Sequence, residues 1–332
     1  MTSTLQKRDT RRLIIVAFIL IALSLLNLML GSSYISLTEV FHYFLNPGDS
    51  SEQFTIEVLR LPRVTLAILA GIALGLSGLL LQNVMKNPIA SPDIIGVTGG
   101  ATVGAVFFLA FLNSISIHFL PIFSVIGATI TMLVLIRFQK RGNIQPTTLV
   151  IIGITLQTLL MALVNAMIAL TKQLAATKAY TWIVGSLYGV TLQDSFILLM
   201  LILCTLPFLA MVLPQMKILV LHDHLATGLG LHIQRVRLLQ IILATLLVAG
   251  AVSFVGNIGF VGLIAPHIAK TLIKGAYVKK AVMAAMIGAI SILFADLIGR
   301  TIFIPKEVPA GVFTALFGAP FFIYLLLTVK KM

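Results

Sequence analysis

Side chains able to act together are few in this sequence, and they fall into small groups. Arg60 and Arg63 flank a Leu-Pro at the mouth of an apolar run, and Arg300 stands four residues after Asp296 near the end of another. Residues three and four apart on a helix are neighbours, so Asp296 and Arg300 suit a local ion pair. Arg60, Arg63 and Arg300 suit the recognition of acidic groups at a membrane edge, with plain headgroup anchoring as the alternative. A second group is His222, Asp223 and His224, with His232 nearby. Imidazole and carboxylate are metal-ligand types. On a charged loop with so few candidates, however, the better reading is solvated or interface residues, and no metal site is expected. The one cysteine, Cys204, excludes a disulfide, zinc or iron–sulfur framework within the chain. The patterns G-x-x-x-x-G-K-[ST], H-E-x-x-H and G-x-S-x-G are all absent. The chain is therefore expected to hold no cofactor and to catalyse nothing itself.

The elements that must position these residues are membrane helices. The chain is 59% hydrophobic and 10% charged, where a soluble domain carries about a quarter charged residues. Uncharged apolar segments recur at 13–31, 64–85, 95–112, 119–136, 147–170, 193–213, 238–256, 258–273, 281–299 and 309–329. This pattern predicts an all-α polytopic membrane protein of about ten transmembrane helices, organised as one domain over 1–332. Lys7, Arg8, Arg11 and Arg12 precede an apolar run longer than a signal-peptide core, with no small-residue cleavage site after it. An uncleaved first span with a cytoplasmic N-terminus is expected. Alternating the spans from there leaves 17 of the 23 basic residues inside and Arg60, Arg63, Lys172, Lys178, Arg300 and Lys306 outside. That bias supports the orientation, with both termini cytoplasmic. The basic excess thus reports topology, and no nucleic-acid partner is expected.

Two loops and two glycine pairs complete the pattern. The loop over 32–59 holds Glu39, Asp49, Glu52 and Glu57 and is expected to cap the outer face. The inner loop, about 214–237, is too polar to span. Its Leu219, Leu221, Leu225, Leu229, Leu231 and Val236 recur as on a pair of short amphipathic helices, which needs lipid headgroups or a protein partner. Gly71 with Gly75 and Gly96 with Gly100 are G-x-x-x-G pairs, read first as close helix packing and as a group as thin walls beside a path. Between the seventh and eighth segments, Gly256-Asn257-Ile258-Gly259 and the later Pro266 and His267 suggest a broken or re-entrant helix. Ion-coupled transporters bury carboxylates or histidines along their pathway. These segments hold almost none, so the energy for transport is expected from elsewhere.

The motifs also have a familiar order. R-L-P-R at Arg60–Arg63 is followed by G-L-L-L-Q at Gly78–Gln82 and N-P-I-A-S-P-D-I-I-G at Asn87–Gly96. Then come A-T-G-L-G at Ala226–Gly230, G-F-V-G-L-I-A-P-H at Gly259–His267, A-D-L-I-G-R at Ala295–Arg300 and V-P-A-G-V-F-T-A-L-F-G-A-P-F-F at Val308–Phe322. From Arg60 to Tyr324 the chain resembles the FecCD-type permeases, membrane subunits of bacterial ABC importers for ferric siderophores, heme and vitamin B12.

The resemblance implies ten helices in the bacterial cytoplasmic membrane, paired with a second permease subunit, identical or paralogous. It implies two ATPase subunits that carry ATP and magnesium, and an extracytoplasmic binding protein that delivers cargo. By the same resemblance Arg60, Arg63 and Arg300 dock acidic residues of the binding protein. His222, Asp223, Ala226, Thr227, Gly228, Gly230, Arg235 and Arg237 belong to the loop that couples to the ATPase. Thr147 and Thr148 lie where the family has a cytoplasmic gate, although Pro146 departs from its pattern there. Lys270 stands where many relatives have arginine. The expected cargo is a ferric siderophore, with heme or cobalamin as alternatives. An ion-coupled secondary transporter would need the buried ionisable residues that the segments lack, and a membrane enzyme would need clustered catalytic groups.

Overall fold

A computed structural model of the chain describes residues 2–46, 52–112, 116–138, 146–221 and 223–329. Asp49, His222, Lys140, Arg141, Lys330 and Lys331 lie outside the described residues. Among the described residues, seven helices are long and apolar enough to cross a membrane: α1 (Thr2–Met29), α3 (Leu61–Val84), α6 (Leu120–Phe138), α7 (Pro146–Ala169), α9 (Leu192–Leu219), α11 (Ile233–Val255) and α13 (Tyr277–Thr301). Three shorter apolar helices, α5 (Val97–Phe111), α12 (Val261–Leu272) and α14 (Ala310–Val329), occupy the remaining predicted segments. Four further helices lie between them: α2 (Leu37–Leu45), α4 (Pro92–Ile95), α8 (Gln173–Val184) and α10 (Asp223–Gly228).

Helix α3 is the centre of the bundle, buried along most of its length and packed by α13, α11, α12 and α9. Its small residues make this possible. A methyl group added at Gly71 or Gly75 would overlap the α13 backbone at Gly288–Ala289 or Ala284, and one at Gly78 would overlap Gly262 of α12. Residues four apart share a helix face, so backbone meets backbone along one stripe. A second centre joins α5 to α6, where Gly100 and Gly104 lie against Gly127 and Phe123. Gly96 has a different task from its sequence partner Gly100. With φ +82° it makes the left-handed turn between α4 and α5, where a side chain is strained.

Contacts between helix ends give the bundle two distinct faces. At one end, the start of α3 meets the start of α9 through Thr65 and Ser195, and the end of α13 meets the end of α1 through Arg300 and Asn27. This is the arginine end. At the other, Asn83 near the end of α3 donates to Met216 O of α9, and Asp9 of α1 accepts from Gly275 N. This is the loop end, where α10 lies. Helix α12 runs toward it despite having only 12 residues, about 18 Å at 1.5 Å per residue. The extended stretch 256–260, with Gly256 and Phe260 at positive φ, covers the remaining depth. The suspected break between the seventh and eighth segments is thus a non-helical stretch buried against Trp182 and Gly185.

Candidate functional site

At the arginine end, helix α1 reaches Met29 with no basic residue in its last turn. The last four carbonyls of any helix lack intrahelical donors, and that end carries partial negative charge. Two distant arginines supply what is missing. Arg60 Nη1 donates to Leu28 O at 2.6 Å and Met29 O at 2.8 Å, while its Nη2 donates to Ser33 O at 2.5 Å and Ser33 Oγ at 3.0 Å. Arg300 Nη2 donates to Asn27 O and, at 3.0 Å, to Asn27 Oδ1. Arg60 and Arg300 are 3% and 6% exposed. Both guanidiniums turn their bonded donors inward to cap α1.

Arg63 lies between the interior and the surface. Its Nε donates to Asp296 Oδ1 at 3.0 Å and its Nη2 to Glu307 Oε2 at 2.8 Å. Asp296 is buried and also faces Arg300 Nε at 3.6 Å, so one carboxylate serves two cations. Glu307 is partly exposed. The predicted Asp296–Arg300 neighbour pair is present, and Arg63 joins it from a residue 233 positions away. Beside this cluster, α2 is closed by a capping box between Ser36 and Glu39, and the Ser36 hydrogen bonds hold the Glu39 carboxyl below its usual range.

At the loop end, the predicted pair of amphipathic helices is one short helix. Helix α9 continues to Leu219 and α11 begins at Ile233, which leaves only α10 between them. The long charged-and-apolar pattern extends the two flanking spans instead. Ala226 is buried, whereas Val220, Leu221, Leu225 and Leu229 are exposed. Asp223 Oδ1 accepts from Lys86 Nζ at 3.0 Å and from Arg237 Nη2 at 2.9 Å, and Lys86 Nζ also donates to Leu221 O at 2.8 Å. Burial raises the Asp223 carboxyl, but the bond from Lys86 and the charge of Arg237 outweigh it and hold the group below the usual carboxylate range. Thr227 Oγ1 donates to Asp223 O, and Gly230 closes the turn after α10 at φ +81°. Gly228 has open space around it, and Arg235 and His224 line a surface hollow beside α10. Thr147 and Thr148, in the first turn of α7, are exposed and half-buried.

Sequence reasoning missed a buried polar chain near the same end. Lys270 Nζ donates to Gln82 Oε1 at 2.9 Å, Gln82 Nε2 donates to Leu263 O at 3.1 Å, and Gln240 Nε2 donates to Asn83 Oδ1 at 3.0 Å. Gln82 closes the G-L-L-L-Q motif, and that polar pair at the end of an apolar span was the available signal. Among the described residues, no group of three or more His, Cys, Asp or Glu is placed to hold a metal ion.

A bundle centred on a glycine-rich α3, with an arginine cluster at one end and a short tethered helix at the other, invites comparison with known transporters. The model of the FecCD transport family matches residues 19–328. The chain belongs to this family. FecCD relatives match over nearly the whole chain. The achromobactin transport system permease protein CbrC of Dickeya dadantii is 37% identical, over 95% of this chain and 91% of its own. The Fe(3+)-citrate import system permease protein YfmE of Bacillus subtilis is 38% identical, over 98% and 97%. Among solved structures, an inward-facing chain described as of metal-chelate ABC-transporter type superposes with a TM-score of 0.83 at 26% identity, covering 96% of this chain and 99% of its own.

Proposed function

We propose that this FecCD chain is the permease subunit of an ABC importer that carries ferric siderophores across the bacterial cytoplasmic membrane. The observation that carries the reading is the end-to-end similarity to permeases for iron chelates, in sequence and in fold. The loop end faces the cytoplasm in this reading, in keeping with the basic excess there, and both termini lie on that side. With no phosphate-cradling loop in its sequence, the chain relies on two separate ATPase subunits, which bind ATP and magnesium. Exposed Leu225 of α10, with Leu221 and Leu229 on either side of it, suits a cleft on such a subunit, and the ties of Asp223 to Lys86 and Arg237 give a pull on α10 a route into α3 and α11. Thr147 and Thr148 stand at the cytoplasmic mouth as gate residues. A second permease subunit, identical or paralogous, completes the pathway.

An extracytoplasmic binding protein delivers the cargo to the arginine end. Of the three arginines, Arg63 is the one at which an incoming carboxylate meets a surface partner, because Glu307 is its only exposed acceptor. Glu307→Gln loosens that internal pair and is expected to raise binding-protein-stimulated ATPase activity. Unchanged stimulation removes Arg63 from the docking surface. The whole reading is tested by reconstituting the permease with its ATPase and binding protein in liposomes loaded with ATP on the ATPase side. Uptake of a radiolabelled ferric siderophore is expected only with all components, and uptake driven by an ion gradient without the ATPase overturns the reading.

A further inference from the structure

A cavity of about 640 Å³ opens at the arginine end, away from the Arg63–Asp296 cluster. Its walls come from Leu109 of α5, from residues 117–121 at the start of α6, from one face of α8, from the α8–α9 connection and from the last turn of α11. The volume falls in the range of small-molecule sites, which run to about 300–1,000 Å³. Most of the wall is apolar, including Leu109, Pro121 and Phe254, with Trp182 and Tyr188 as aromatic surfaces.

The charges in the wall are Lys178 and Asp194, and the imidazole of His118 joins them. Asp194 is already engaged, since its Oδ2 accepts from Thr191 N and Thr191 Oγ1 in the cap of α9. Lys178 and His118 form no hydrogen bond or ion pair among the described residues, whereas Arg60, Arg63 and Arg300 at the same end are each hydrogen-bonded. Lys178 and Trp182 lie four apart on α8, one turn from each other on the same face. An ammonium that forms no ion pair among the described residues, one helical turn from a large aromatic face at the mouth of an apolar hollow, is complementary to a bulky anion with carboxylate groups.

We propose that this cavity is a binding site for an anionic, carboxylate-bearing ferric chelate on the side from which cargo arrives. Lys178 faces its negative charge, the His118 imidazole offers a hydrogen bond, and Trp182 packs against its body. The proposal rests on the import reading and goes further by assigning a cargo contact to the permease itself. Trp182 is the only tryptophan in the chain, so its emission reports on this cavity alone. The test is titration of ferric citrate, in excess citrate, into the whole permease in dodecyl maltoside micelles. Saturable quenching of Trp182 is expected, with reversal by gallium citrate, which competes without quenching. Lys178→Glu is expected to weaken the apparent affinity about tenfold, or about 1.4 kcal/mol, and Lys178→Arg to retain it. Lys178 is exposed, so folding is checked in each variant by size-exclusion profile and thermal unfolding.

Quenching that rises linearly, matches free N-acetyltryptophanamide and ignores Lys178→Glu is collisional and overturns the proposal. Protection of Trp182 by phosphatidylglycerol but not by gallium citrate assigns the cavity to lipid and likewise overturns it. The outcome separates from that of the import reading. ATP-driven uptake without saturable quenching leaves import standing and removes this site, and saturable quenching without ATP-driven uptake does the reverse.

Discussion

At the arginine end, the buried Arg60 and Arg300 distribute their donors over fixed acceptors, the carbonyls that end α1 and the Asn27 amide, and Arg63 reaches the buried Asp296 carboxylate. At the loop end, a carboxylate 48% exposed shares one oxygen between a half-exposed lysine and a buried arginine. The first arrangement is costly to open, because each broken contact leaves a polar group unpaired in a place water does not reach. The second is cheaper to open, because its carboxylate and its lysine both reach water, which can replace the Lys86–Asp223 contact. A transporter that alternates between states needs both kinds of contact, one to keep helices together and one to be remade in every cycle. Similar-looking ion pairs in a sequence can therefore belong to opposite parts of a mechanism.

That contrast can be broken most directly at Asp296. Asp296→Ala leaves Arg63 and Arg300 without their buried counter-charge and is expected to cost about 3–5 kcal/mol, read as a large fall in thermal unfolding temperature in detergent. A variant as stable as the parent would show that the arginine end is not held by this carboxylate. Arg60→Gln comes next. It strands the carbonyls of Leu28 and Met29, for an expected loss of about 1–3 kcal/mol, and should expose the end of α1 to added protease; an unchanged cleavage pattern counts against the cap.

Asp223→Asn probes the other side of the contrast. Its effect on stability should stay within about 1 kcal/mol, while ATP-driven uptake falls and ATPase activity persists. Loss of both activities together would make Asp223 a folding residue instead of a coupling one. The smallest effect is with pH. Because the Asp223 carboxyl is held below its unfolded value, its contribution is complete above the usual aspartate range near 4 and is lost only as pH falls through the lower, folded value. Hydrogen exchange in α10, corrected for intrinsic rates, should be flat from pH 5 to 8. A rise inside that window would mean that another group holds α10.

How much of this was legible in the sequence depended on range. Each of the ten apolar segments is a helix, and the Asn87–Pro92 turn lies where the prolines interrupt the pattern. The errors are at the ends. The second segment reads as starting at Val64 because Arg60 and Arg63 are charged, yet helical backbone runs on from Thr55 through both. For the same reason the polar residues between 214 and 237 read as loop, although α9 runs on to Leu219 and α11 begins at Ile233. Hydropathy treats a charge as a reason to leave the membrane and cannot see a carbonyl waiting for it. Arg60 and Arg300 find their acceptors 32 and 273 residues away, and no local pattern carries that distance. The same blindness hid the Lys270–Gln82 contact, whose halves are separated by 188 positions.

The cap on α1 also bears on how the protein is made. Chains emerge from the ribosome N-terminus first, and α1 is the earliest helix available to the membrane. Its final carbonyls stay without their partners until Arg60 and then Arg300 have been synthesised. The first helix to enter is thus among the last to be secured, and a nascent chain stopped before residue 300 holds α1 by only one of its two clasps.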